Sequence, residues 1–258
     1  MFAPRIIPAL TLIDDGLYRT QRFKKPSYVG DPLNAVRIFN DKEVDEMIVM
    51  DITPEHKWSI RRLRLLEDMA SQAFMPMALG GNISKVEHAE KAFKMGYDKI
   101  VVNSAAIRDI DFIGKLTNRF GGQSVVVSID VGKKLFGGRT VFSDLGRKAS
   151  RVDAVDHALS CEQAGVGEII IRSITHDGLM QGFDLDLITR VSAAVTVPVV
   201  AAGGAGSRED LALALAAGAH SVSAGSMFVY SGPHKAVLIN YLSALEIQGV
   251  MERVAASR

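Results

Sequence analysis

The stretch GGNISKVEHAEKAFKMGYDKIVVNSAAI, from Gly80 to Ile107, reappears in altered form as GGAGSREDLALALAAGAHSVSAGSMFV, from Gly203 to Val229. Each copy reads as a glycine pair after an apolar run, then a helix, a second apolar run and a small hydroxyl residue. Gly203 matches Gly80 and Ser226 matches Ser104. The strand ending Ser173-Ile174-Thr175 matches the one ending Asp51-Ile52-Thr53, at an offset that agrees to within one residue. Self-similarity at so long a period predicts two halves of four strand–helix units each, about 1–122 and 123–258, joined in one domain. Two such halves closing on each other make a barrel. A doubly wound open sheet shares the local pattern but not the twofold repeat.

Working outward, short runs rich in Val, Ile, Leu and Ala recur eight times: RIIPALTL from 5, EMIVMDI from 46, FMPMAL from 74, DKIVVN from 98, SVVVSID from 124, GEIIIRS from 167, VPVVAA from 197 and HSVSAG from 220. Most lack polar alternation, as strands covered on both faces do. Helical segments such as DPLNAVRIFNDK, SIRRLRLLEDMA and SKVEHAEKAFKMG lie between them. The fold class is therefore α/β, a single (β/α)8 TIM barrel built from two half-barrel repeats, with no linker marking a boundary.

The bulk numbers exclude several functions. A net charge of +1 over 258 residues gives no broad attraction for nucleic acid or an anionic membrane, so any anion recognition must be local. The single cysteine, Cys161, has no partner for an intrachain disulfide and reads as a buried, inert thiol. The apolar N-terminus is interrupted by Pro4, Arg5 and Pro8, without the pattern of a leader peptide, which leads us to expect a cytoplasmic protein. No cofactor or metal motif is present.

Two longer connections, 13–30 and 132–150, follow strands one and five, at the end where barrel enzymes keep their chemistry. They carry Arg19, Arg22, Lys24, Lys25, Lys133 and Lys134 and read as lids or substrate loops rather than tolerated insertions. The strand ends beside them suggest two anion sites. Gly80, Gly81 and Asn82 pair with Asn103 and Ser104, and Gly203 and Gly204 pair with Gly225 and Ser226. Glycines let backbone N–H groups approach an oxyanion, and a helix start adds donors. A single glycine pair would say little, because tight turns need glycine anyway. Two in one register point to a phosphorylated small molecule with a phosphate at each end.

Strand five ends in Asp130 after a nearly unbroken apolar run, a position that suits a general acid or base with a raised pKa, or else a hydrogen-bonded structural aspartate. Its counterpart on strand one is Thr11, which cannot shuttle protons at neutral pH. Near the opposite strand ends lie Arg5, Glu46, Lys99 and Glu168, two of each sign. Surface ion pairs and a mutually paired buried set are both open from the residues alone.

RIIPALTL, GDPLNAV, DEMIVMDIT, LGGNI, DKIVVNSAA, VVVSIDV, GEIIIRS, HDGLMQGFD and VPVVAAGGAG together resemble, over nearly the whole chain, the HisF family, the cyclase subunit of imidazole glycerol phosphate synthase. The sister isomerase of histidine synthesis shares the doubled barrel, and IIPAL with IDDG is as much in its style. The resemblance implies an acid–base pair of aspartates on strands one and five. Asp130 matches the second, but the first is replaced by Thr11, with Asp14 and Asp15 further along in the loop. Asn82 stands for a third phosphate-loop glycine, and Asp177 and Gly178 fall among the phosphate-binding residues. The resemblance also makes Arg5, Glu46, Lys99 and Glu168 the gate of an ammonia passage, and Asp98 a contact to a docked glutaminase subunit. Three functions stay open: a barrel conducting ammonia to a separate sugar amidotransferase, for amidination of a nucleotide sugar in lipopolysaccharide or O-antigen synthesis; a working cyclase-lyase of histidine biosynthesis; and an isomerase.

Overall fold

A computed structural model describes residues 4–53, 60–134 and 137–256. Ser59, at the head of one expected helix, and residues 135 and 136, within the second long connection, lie outside the described residues, as do the extreme termini. Eight parallel strands form, one at each predicted run: β1 Ile6–Ile13, β2 Met47–Asp51, β3 Met77–Gly80, β4 Lys99–Val102, β5 Val125–Lys133, β6 Glu168–Ser173, β7 Val199–Ala202 and β8 Ser221–Ala224. Each pairs with the next, and β8 returns to β1 through Val222 opposite Ile6, Ser223 opposite Ile7 and Ala224 opposite Pro8. The sheet is closed.

Closure divides the apolar residues into two cores, because successive side chains of a strand point to opposite faces. Ile7, Ile48, Ala78, Val101, Val126, Ile170 and Val200, one from each of β1 to β7, fill the interior. Their neighbours, among them Ile6, Met47, Met77, Ile100, Val127, Ile169 and Val199, pack outward against the helices. Burying such a side chain contributes about 1.5–3 kcal/mol. Both strand faces are therefore apolar, the reason polar alternation is missing.

The surrounding helices are α1 Pro32–Asp41, α2 Ile60–Gln72, α3 Val86–Lys94, α4 Asp111–Phe120, α5 Ala154–Gln163, α6 Leu185–Ala194, α7 Arg208–Ala216 and α8 Ala244–Ala256. Local chemistry starts several of them. Asp31 accepts the Asn34 N–H at 2.8 Å ahead of Pro32, and Ser207 and Asp210 form a reciprocal capping box on α7. Among the described residues no helix is long and apolar enough to cross a membrane.

The long connections are not simple loops. Gly16–Gln21 and Lys24–Gly30 form an antiparallel ribbon that folds back from β1, and Arg139–Ser143 with Lys148–Ala149 form another that folds back on β5. Both rise from the C-terminal strand ends and wall the mouth. Cys161 is fully buried, 3.8 Å from His157, and burial pushes its thiol up to about 12.

At the other end the four charged residues meet. Glu46 and Glu168 each accept from both Arg5 and Lys99, with Lys99 Nζ at 2.9 Å from Glu46 and 3.1 Å from Glu168. Burial pulls the Arg5 pKa down, but Glu168 and Glu46 together hold it above its ordinary value. The two carboxylates are buried, while the Arg5 and Lys99 side chains keep 27% and 20% of their surface. Lys99→Ala leaves two buried carboxylates sharing one guanidinium. We expect a loss of about 3 kcal/mol in urea unfolding, the low end for a broken buried pair because water still reaches the cations. Adding Glu168→Gln to that variant should recover part of the loss, and an unchanged midpoint in the single variant would contradict a buried set.

Candidate binding site at the barrel mouth

The mouth holds two adjoining cavities with Met50, Ile52, Asp130, Leu145 and Arg147 common to both. One reaches Gly81, Asn82, Asn103 and Ser104, and the other reaches Thr11, Gly203, Gly204, Gly225, Ser226, Asp177 and Gly178. The two expected corners thus open on one mouth from opposite sides, with Asp130 between them.

The glycines are needed for different reasons. Gly81 has φ +102, and a Cβ there would strike the Asp51 carbonyl; Gly204 has φ +123, and a Cβ would strike the Gly182 carbonyl. Asn82 has φ 58, a left-handed conformation asparagine tolerates better than most residues, so the turn survives the missing glycine. Gly178 serves packing, since a side chain there would collide with the Thr20 carbonyl of the first ribbon.

The corners are fastened differently. In the second, Asp210 accepts from Gly206 N at 2.9 Å and Ser207 N at 2.8 Å, tying the turn to the start of α7. In the first, His88 replaces that carboxylate, its Nδ1 2.9 Å from the Asn82 carbonyl. Beneath it Arg62 of α2 pairs with the buried Asp51 through Nε at 2.6 Å and bonds Thr53 and the Asp14 carbonyl. The helix after Asn103 is only Ser104–Arg108, and the Ser104 hydroxyl accepts the Asp144 N–H at 2.9 Å. Asp144 also takes Arg108 at 3.3 Å, so the second ribbon rests directly on this corner.

Asp130 is buried. Ser128 Oγ donates to it at 3.0 Å and Asn103 Nδ2 lies at 3.3 Å. Burial raises its pKa, opposed first by Arg172 and then by the Ser128 hydrogen bond. The Asn103 amide is turned inward to Asp130 and the Ser128 carbonyl, and its Oδ1 takes the Ser104 hydroxyl, while the residue still lines the first corner. Thr11 lines the mouth, whereas Asp14 and Asp15 are exposed on the turn beyond β1. At the charged end, Asp98 is exposed, one oxygen accepting the Met77 N–H at 2.9 Å.

Three groups escaped the sequence reading or were placed only in a lid. Arg172, on β6 opposite Asp130 in the register, projects into the mouth with its guanidinium 5.8 Å from the Phe23 ring centroid. Arg19 lies buried against Gly225, donating to the Ala9 carbonyl, and burial lowers its pKa to about 10. Ser223 lines the same cavity from β8. A legible signal existed for Arg172: it interrupts the run EIII at an inward position. Among the described residues no cluster of three or more His, Cys, Asp or Glu side chains is placed to hold a metal.

Burial pushes Asp177 up to about 6, opposed by Arg172 and Arg19 and reinforced by Asp130. The folded chain therefore binds this proton more tightly than the unfolded chain, so this group's contribution to stability falls as pH rises towards and through 6. A charged Asp177 also repels an anion in the second corner. Sulfate, whose charge is constant here, should bind less tightly as pH rises from 5 to 7 in calorimetric titrations. Asp177→Asn should flatten that dependence; an equal slope in both proteins would show that another group controls it.

A sequence model of the family described as histidine biosynthesis protein matches residues 5–235. The chain is 46% identical over 242 residues to a Pseudomonas aeruginosa protein provisionally named imidazole glycerol phosphate synthase subunit hisF2, covering 93% of this chain and 96% of the relative. It is 41% identical to a Vibrio vulnificus protein provisionally named subunit hisF3, covering 98% of each. It is 35% identical to the imidazole glycerol phosphate synthase subunit HisF of Alkaliphilus metalliredigens, covering 90% of this chain and 92% of that one. With a closed eight-stranded barrel and matches along almost its whole length, the chain belongs to the histidine biosynthesis family and is HisF-like.

Proposed function

We propose that this chain is the barrel subunit of a glutamine amidotransferase complex, taking ammonia from a glutaminase docked at the charged end and releasing it at the mouth to an acceptor other than an imidazole precursor. The observation that carries the reading is the contrast between the two ends. Arg5, Glu46, Lys99 and Glu168 form a complete set around the axis with exposed Asp98 beside it, whereas the mouth has Thr11 where a second carboxylate would serve acid–base chemistry. Between the ends the axis is lined by Ile7, Ile48, Val101, Val126 and Ile170, an apolar surface that offers a neutral molecule such as ammonia no charge to bind.

A nucleotide sugar amidated for lipopolysaccharide or O-antigen synthesis, with a separate sugar amidotransferase as third component, is the acceptor this reading favours. Relatives named hisF2 and hisF3 fit a further copy beside an ordinary synthase subunit. Phosphate at the corners built by Gly81, Asn82 and Ser104 and by Gly204, Gly225 and Ser226 would then hold that acceptor or an effector. One observation favours the working cyclase instead: Asp130 is buried with a raised pKa, as a general acid requires.

The two readings separate on Thr11. General acid–base assistance contributes about 10² to 10⁴ in rate. The native chain, given free ammonia and the imidazole precursor, should close the ring slowly or not at all, and Thr11→Asp should raise that rate. Native turnover at the level of an ordinary cyclase would overturn the proposal.

A further inference from the structure

We propose that the mouth recognises a third negative group on its ligand, a carboxylate seated between the two phosphate corners on Arg172, with Arg19 and Ser223 beside it. The inference goes beyond the ammonia-transfer reading and does not need it, since it concerns only the mouth.

Arg172 carries the argument. It stands on the barrel axis at the level of Asp130, paired with it across β5 and β6, yet among the described residues it makes no hydrogen bond and no ion pair within 4.0 Å. Its fixed contact is the Phe23 ring, which faces the guanidinium and leaves the edge donors open. A guanidinium held by its face presents a planar fork that matches a carboxylate.

Two further groups beside it lack partners. The Arg19 Nε is buried with no hydrogen bond, in a residue 8% exposed, and so is the Ser223 hydroxyl, in a residue 2% exposed. Both residues line the same cavity as Arg172. An unsatisfied buried donor is costly, and these two lie just under the wall of the cavity that Arg172 enters, while Arg172 itself offers the open fork that seats an oxyanion. The cavity wall holds three guanidiniums, Arg19, Arg147 and Arg172, against the two carboxylates Asp130 and Asp177, so an anion entering it meets net positive charge.

The Arg172 stem passes the second corner, its Cγ 3.3 Å from where a Cβ on Gly203 would stand, and its guanidinium lines the same cavity. A phosphate in that corner and a carboxylate on Arg172 then share one cavity, so a small ligand carrying both groups is the natural probe.

Two probes differ only in the group at issue. Glycerol 3-phosphate and 3-phosphoglycerate share the phosphate and carbon chain, the second replacing a primary alcohol with a carboxylate. In calorimetric titration of the full chain, 3-phosphoglycerate should bind about tenfold or more tighter, the scale of one charge-assisted hydrogen bond. Arg172→Gln removes a charge that attracts either anion, so both probes should weaken while their ratio falls to parity, with unchanged circular dichroism showing the fold intact. Ser223→Ala should reduce the preference with the guanidinium in place. Equal affinities in the native chain, a preference that survives Arg172→Gln, or no binding of either probe would each overturn the proposal. Loss of glutaminase coupling elsewhere on the barrel would leave these results unaltered.

Discussion

The pairing of Ile6, Ile7 and Pro8 with Val222, Ser223 and Ala224 is the interaction on which the rest of the structure depends. It closes the sheet, and a closed sheet sends alternate side chains of every strand to a common axis with little water. An apolar residue there adds to the core. A charged one is tolerated only with partners, so charge collects at the two ends of the axis. At one end Arg5, Glu46, Lys99 and Glu168 satisfy one another within the chain. At the other, Arg172 faces Asp130 and Asp177 without bonding either, which leaves its donors for something that enters.

The corners at the mouth are alike in sequence and unlike in construction. The second turn is locked by the Asp210 carboxylate at the start of α7, while the first is held by His88, by the Arg62–Asp51 pair and by a ribbon whose Asp144 sits on Ser104. A backbone turn held by its own helix cap is stiff. A corner covered by a ribbon depends on where that ribbon rests, and Arg147 of the same ribbon lines both cavities. The second corner is thus fixed within its own helix start, and the cover of the first belongs to the 139–149 ribbon.

The strands were legible because burial on both faces leaves an unbroken apolar run, and Asp130 was legible because it ends such a run. The ribbons were not. Lys24–Gly30 is mostly exposed and contains Pro26, so its strand character comes from pairing with Gly16–Gln21 rather than from its own pattern. Asn103 was legible as a strand-end residue, but only the register across β4 and β5 shows its amide turning to Asp130. Arg172 could have been found by following the inward positions of β6, whereas nothing in SVSAG distinguishes the unpartnered Ser223 hydroxyl from any other strand serine.

The central claim is that the charged end of the barrel serves a glutaminase and that ammonia leaves at the mouth. It is tested most directly by glutamine hydrolysis in the glutaminase subunit from the same genome, measured with and without this chain. The account predicts that adding the barrel raises the rate and that Asp98→Lys, an exposed change at that end, abolishes the rise while the barrel stays folded. An unchanged rate with the native chain, or full stimulation by Asp98→Lys, would contradict it.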